Sequence, residues 1–213
     1  MILRNFVVFE GIDGTGTTTQ LKQIEKRYRA LSTKKQVSFF FTCEPTDSEI
    51  GRLVRRGLKG ELYFRPETIA RLFAADRGEH LFGEDGIIAH LNKGYVVYSD
   101  RYLFSSLAYQ GEACDPALPH SLNKDFPLPE YLFFFDIDPD AAMERVVHRA
   151  ATLEIYEKLE FQKRVRARYL DIISEYEKKE PNMQIIKIDA SNSVDEIAAK
   201  IWSIAGNLPK ITT

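Results

Sequence analysis

The residues most suited to chemistry begin at the stretch VVFEGIDGTGTTTQL, residues 7–21. Gly11, Gly14 and Gly16 let the main chain curl and turn its amides toward an anion. A helix that follows adds its positive end. Gly11 and Gly16 satisfy the spacing G-x-x-x-x-G of a phosphate-binding loop, and Thr18 stands where a hydroxyl would ligate a divalent cation. Thr17 stands where such loops carry a lysine, the mobile charge that meets the outer phosphates. Glycine-rich turns from strand to helix also arise for steric reasons, so this stretch alone leaves both readings open.

Further candidates lie downstream. In SDRYLFSSLAYQG, Asp100 and Arg101 end an apolar run, the edge of an open α/β sheet at which ligands bind. Asp100 there can hold a magnesium shell and Arg101 can grip a phosphate with two hydrogen bonds, or the two can form an ordinary ion pair. In LFAADRGEH, Phe73 lies four residues before Arg77, which puts a ring and a guanidinium on one helix face, able to stack on a base and read its edge. The alternative makes Phe73 core and Arg77 surface. Arg55, in EPTDSEIGRLVRR, adds a cation.

These residues need a scaffold. Five apolar runs rich in β-branched and aromatic residues read as buried strands: Phe6–Phe9, Val37–Phe41, Tyr95–Tyr98, Tyr131–Ile137 and Ile185–Ile188. Between them, Thr18–Leu31, Pro66–Leu91, Asp140–Arg149, Leu159–Lys178 and Val194–Ile204 read as helices. Alternation of this kind predicts an α/β fold, a parallel sheet covered on both faces. Phe161, Val165, Tyr169, Ile172 and Tyr176 form an apolar stripe; Lys163, Arg164, Arg166 and Arg168 occupy the other face as a solvated surface. The proline-rich segment 111–130 reads as a long connection with one short helix.

Taken together, the motifs resemble the thymidylate kinase family of nucleoside monophosphate kinases. The carriers are FEGIDGTGTTTQ, the Glu44–Pro45 pair, FAADR, SDRYLFSSLAYQG, PEYLFFFDIDP and KRVRARYL, in the expected order from Phe6 to about Ala205. The resemblance implies a single P-loop NTPase-like domain over 1–213, three layers α/β/α around a five-stranded parallel sheet, with a helical lid at about 149–157. It implies transfer of a phosphoryl group from ATP, with Mg2+, to dTMP. Gly11, Gly14, Thr15, Gly16, Thr17, Thr18 and Thr19 would line the donor phosphates, and Thr18 and Asp100 would hold the metal. Asp13 would sit by the acceptor's sugar and phosphate, and Arg55 and Arg101 on its phosphate. Phe73 would stack on thymine, Arg77 read its edge, Ser106 and Gln110 add contacts, and Tyr109 crowd the sugar's 2′ position. Asp13, Arg101 and Arg149 would carry the chemistry. The family commonly forms homodimers.

Three positions depart from the family pattern: Thr17 for lysine, Cys43 for the arginine before Glu44–Pro45, and Thr46–Asp47 for glycines. In one branch of the family a glycine like Gly14 goes with lid arginines, and Arg149, with Arg145 and His148 before it, could supply the missing charge. Lys22, five residues beyond Thr17 on the same helix, is turned away from the phosphate side. These departures leave two other readings: an impaired nucleotide-binding homologue serving as sensor or partner, or a kinase for another deoxynucleotide.

Composition narrows the field. The 213 residues suit one domain, and 44% hydrophobic with 28% charged residues excludes a largely disordered chain. A net charge of -2 gives no basis for binding long nucleic acid. Cys43 and Cys114 lack metal-site spacing and are expected as free thiols. The N-terminus reads as neither signal nor membrane span, so a cytoplasmic protein without membrane contact is expected.

Overall fold

A computed structural model describes residues 1–32, 38–149, 156 and 158–208. In chain order its elements are β1 (Ile2–Gly11), α1 (Thr17–Ser32), β2 (Phe39–Cys43), α2 (Glu49–Leu58), α3 (Pro66–Phe82), α4 (Ile87–Asn92), β3 (Val96–Asp100) and α5 (Leu103–Ser105). A π-helical turn (Ser106–Gln110) leads to α6 (Gly111–Ala113). Then come α7 (Ala117–Asn123), β4 (Leu128–Asp136), α8 (Pro139–Arg149), α9 (Leu159–Lys179), β5 (Gln184–Asp189) and α10 (Val194–Ala205).

The described residues form a five-stranded sheet in the order β2-β3-β1-β4-β5, parallel throughout. Buried on both faces, β1 and β4 carry apolar runs rather than alternating patterns: Phe6–Phe9 and Leu132–Phe135 are at most 1% exposed. Phe9 packs edge-on against Tyr98 and Phe133, tying the three central strands together. The connections leaving β1 and β3 run to opposite sides of the sheet, and the carboxyl ends of this pair therefore frame a crevice.

The expected elements are present with several differences, and the segment 111–130 holds two helices, α6 and α7, and the start of β4 rather than one short helix. The helix expected over Pro66–Leu91 is two, α3 and α4. Gly83 and Gly86 break it, and a Cβ at Gly86 would lie 2.8 Å from the carbonyl oxygens of His80 and Leu81. In α9 the fully buried line is Gln162, Val165, Tyr169 and Ile173, while Phe161, Ile172 and Tyr176 of the apolar stripe are only half-buried. The inward line thus admits a glutamine that hydrophobic patterning passes over. Helix α2 lies in a stretch where periodicity gave no element; Ser48 caps it by accepting from the Gly51 amide at 3.1 Å. Val37 of the second expected strand lies outside the described residues. So does the expected lid at 149–157, save the main chain of Arg149, which ends α8, and Tyr156.

Candidate active site

The glycine loop bridges β1 and α1. Gly14 and Gly16 have φ of 87° and 91°, left-handed backbone that favours glycine. Gly14 also abuts α8: a Cβ there would lie 2.2 Å from the Ala142 carbonyl oxygen. The Thr15 hydroxyl bonds back to the Ile12 carbonyl at 2.9 Å, closing the turn. The first amide of α1 to bond within the turn is that of Gln20, to Gly16. The amides of Thr17, Thr18 and Thr19 stand at the positive helix end, and the first turn of α1 carries no acidic residue to compete with an anion.

Thr18, in the first turn of α1, and Asp100, at the end of β3, meet, the hydroxyl donating to Oδ2 at 2.5 Å. The other carboxylate oxygen, Oδ1, is buried with no hydrogen-bond partner among the described residues. A hydroxyl beside an orphaned carboxylate oxygen is a hard, all-oxygen donor set, and it fits Mg2+. Cys43 faces the same recess, where burial pushes its thiol up and Asp100 and Asp47 push further, against Arg55; it is a neutral thiol at neutral pH.

Arg101 follows directly. Its φ is 71°, a left-handed conformation in a long side chain, held by its amide on the Phe9 carbonyl at 2.9 Å. The guanidinium donates to Asp13 at 2.6 Å, to the Gly11 carbonyl at 3.0 Å and to the Ser105 hydroxyl at 3.1 Å. It also lies 5.1 Å from the Tyr109 ring centre. Burial opposes its charge, but Tyr109 and Asp13 more than offset this, and its pKa lies well above the arginine norm. Burial likewise pushes the Tyr109 hydroxyl far up, helped by Asp13 and opposed by Arg101.

Gln162 completes the group. Fully buried, it donates to Asp13 Oδ2 at 2.7 Å and to the Tyr156 carbonyl at 2.9 Å, while its oxygen faces the Asp13 amide and the Tyr109 hydroxyl, both at 3.3 Å. A cavity opens beside it, lined by Asp13, Phe73, Arg101, Tyr109 and Gln110, with Glu44, Pro45, Leu58, Ser105 and Tyr156 completing its walls. The side-chain oxygens of Gln110 and Tyr156 are buried there without hydrogen-bond partners among the described residues. An apolar cleft with a few convergent polar groups suits a small planar ligand.

Arg77 is 1% exposed, not the surface residue that sequence left open. It donates to Glu44 at 2.7 and 3.0 Å, to Ser106 at 3.1 Å and to Asn123, one layer behind the cavity. His80 bridges the other Glu44 oxygen, at 3.0 Å, to Thr42, at 2.6 Å. Arg55 reaches Asp47 at 3.1 Å and bonds the carbonyls of Pro45 and Thr46.

The model of the thymidylate kinase family matches residues 9–201. The chain belongs to that family. A protein of Treponema pallidum (strain Nichols) named as a thymidylate kinase is 43% identical over 200 residues, 94% of each chain. Relatives so named from Methanococcus maripaludis (strain C6) and Methanocaldococcus jannaschii are 38% and 36% identical, covering 98% of this chain and 99% and 100% of their own.

In this thymidylate kinase family member, most of the residues anticipated from sequence fall into three places; Gly11, whose carbonyl accepts from Arg101, and Thr17, which is buried, line none of them. Asp13, Phe73, Arg101, Tyr109 and Gln110 share the cavity, with Arg77 and Ser106 behind it. Gly14, Thr15, Gly16 and Thr19 line a groove with Arg145 and Asn192, and Thr18 and Asp100 face the third recess. Arg55 braces the loop after β2. The Arg149 side chain lies outside what is described. Lys22 is exposed; it shares the recess of Thr18 and Asp100 and does not line the groove of Gly14 and Gly16. Sequence reasoning missed Glu10, Glu44's pairing, Ser105, Asn123 and Gln162. None left a signal in the hydrophobic pattern: Glu10 reads as the end of an apolar run, and Gln162 lies beside the stripe that begins at Phe161. No described helix is long and apolar enough to cross a membrane.

Proposed function

We propose that this chain transfers the terminal phosphoryl group of ATP to the phosphate of dTMP, giving ADP and dTDP. The observation that carries the reading is the Arg101–Asp13 contact at 2.6 Å, which stands between the glycine loop and the cavity beside Phe73. The thymine ring stacks on Phe73, and Asp13 and Tyr109 face the sugar, Tyr109 leaving little room at the 2′ position. Arg101 grips the acceptor phosphate, with Arg55 as a further cation from the loop after β2. The loop amides from Gly14 to Thr19 hold the donor phosphates. Thr18 and Asp100 would hold Mg2+, which would neutralise phosphate charge.

A phosphate monoester's second pKa of about 6 leaves the acceptor oxygen largely ionised at neutral pH, and no strong general base is needed. Catalysis then rests on positioning and charge neutralisation. The ammonium absent at Thr17 limits turnover more than binding. Arg145, which reaches the Gly14 carbonyl at 3.4 Å and the Ala190 carbonyl at 3.2 Å, is one source of charge beside the loop. Arg149, if the lid carries it inward, is the second source of charge. The enzyme works in the cytoplasm as a homodimer, which light scattering of the purified protein tests; a monomer mass contradicts the latter.

The test is a coupled assay with ATP, Mg2+ and dTMP beside dUMP, dCMP and the ribose analogue of dTMP. The expected result is ADP release that depends on dTMP and exceeds that with the other acceptors. Measurable dTMP binding without ADP release from any acceptor would favour the impaired nucleotide-binding homologue.

A further inference from the structure

Glu10 ends the apolar core of β1 and is 0% exposed. Its register neighbour on β4 is Phe134, and no cation donates a hydrogen bond to it among the described residues. Instead Oε1 accepts the amides of Tyr102 at 2.8 Å and Ser105 at 3.1 Å, while Oε2 accepts the hydroxyls of Ser105 at 2.6 Å and Tyr169 at 2.8 Å. One carboxyl group thus gathers both ends of the turn that follows Arg101, together with α9. Ser105 faces two ways, since its oxygen also receives the Arg101 guanidinium at 3.1 Å.

We infer that Glu10 is a positioning residue for phosphoryl transfer, which holds Arg101 in its left-handed conformation and aims the guanidinium at Asp13 through Ser105 and the turn amides. The inference rests on the reading of Arg101 as the phosphate grip. The left-handed φ of 71° at Arg101 needs such over-determination, because a residue with a Cβ does not keep it unaided.

Hydrogen counting adds a second feature. Glu10 Oε2, Ser105 Oγ and Tyr169 Oη form a triangle with sides of 2.6, 2.8 and 2.9 Å. The two hydroxyls supply hydrogens for two sides. Filling all three needs a proton on Glu10, which donates to one hydroxyl while that hydroxyl turns to donate to the other. Burial pushes the Glu10 carboxyl up to about 7, against the hydrogen bonds from Ser105, Tyr169 and the Tyr102 amide and the charge of Arg101. The titratable and charged groups that face it are Arg101 and Tyr169. The triangle is therefore complete below neutral pH and loses one side above it, loosening the Ser105 anchor.

Three variants test this: Glu10→Ala, Glu10→Gln and Ser105→Ala. An amide at position 10 can donate to Ser105 and Tyr169 and still accept the two turn amides, so Glu10→Gln imitates the protonated acid at every pH. The expected result is a fall in kcat on the order of 100-fold for Glu10→Ala. Its KM for ATP stays near the native value, and Glu10→Gln restores kcat to within a few-fold. Native kcat/KM for dTMP declines as pH passes about 7, apart from the inflection near 6 set by the substrate's own phosphate. Glu10→Gln keeps the substrate inflection and lacks the decline. Ser105→Ala gives the same split as Glu10→Ala and keeps the argument testable should the latter fail to fold.

Native kcat and KM for dTMP in folded Glu10→Ala, or in Ser105→Ala, would overturn the inference. So would a decline near 7 that persists in Glu10→Gln. Arg101→Ala serves as the separating control: if it keeps native kinetics, the reading of Arg101 fails, whatever Glu10 does.

Discussion

Arg101 and Asp13, separated by 88 positions in the chain, meet at 2.6 Å across the carboxyl ends of β3 and β1. The contact joins the loop that faces the donor to the cavity that faces the acceptor. Each partner is further tied, Asp13 by Gln162 and Arg101 by Ser105 and the Gly11 carbonyl.

Residues acting as one unit lose activity non-additively. Asp13→Asn and Arg101→Ala are each expected to lower kcat/KM for dTMP by about 100-fold or more, the range of a lost positioning contact. The double variant should fall little further. Steady-state kinetics on the cycle check this, and losses that simply multiply would mean that the two act separately.

Gln162 is the buried polar group whose removal should be felt in both stability and substrate binding. Gln162→Leu leaves Asp13 Oδ2 and the Tyr156 carbonyl without its amide, a cost of about 1–3 kcal/mol for each polar group that stays buried and unpaired. KM for dTMP is expected to rise about 10-fold while KM for ATP holds, because the donor groove does not include this side chain. Kinetics at saturating ATP, with urea unfolding beside them, measure both effects.

Glu10 carries a stability signature with a definite sign. Its carboxyl titrates at about 7 in the folded protein against 4.5 as a free group, and the unfolded chain therefore releases its proton first. The contribution is fully present below pH 4.5 and is lost as pH rises through 7, by roughly 3 kcal/mol in total. Glu10→Gln does not titrate. Relative to the native protein it should gain stability between pH 5 and pH 8, as read by denaturant midpoints at the two values. An equal difference at both would show that Glu10 is ionised in the fold throughout.

Most of the scaffold was legible because parallel strands buried on both faces leave uninterrupted apolar runs, as at Phe6–Phe9 and Tyr131–Phe135. The glycine loop was legible for a similar reason: Gly14 and Gly16 adopt backbone angles that few other residues take. The second layer of the site was not. Gln162 entered a buried helix line as a polar residue, and hydrophobic periodicity assigned that line to Phe161 instead. Arg77 was seen as a base reader or a surface residue. Its pairing with Glu44 and Asn123 depends on α3, the loop after β2 and α7 meeting in space, which spacing along one helix cannot reveal. Glu10 was hidden by its neighbours, since a charged residue closing an apolar strand reads as the strand's end.

The account depends on a main-chain cradle and nearby guanidinium groups handling polyphosphate charge without an ammonium at position 17. The kcat of Thr17→Lys beside the native protein, with ATP, Mg2+ and dTMP saturating, measures this directly. The native protein should turn over, and Thr17→Lys should raise kcat by about 10-fold or more with KM for dTMP unchanged, since the charge is restored at a loop already shaped for phosphate. A native protein without measurable turnover, active only as Thr17→Lys, would contradict the account, showing that the cradle and the guanidinium groups do not manage without that ammonium.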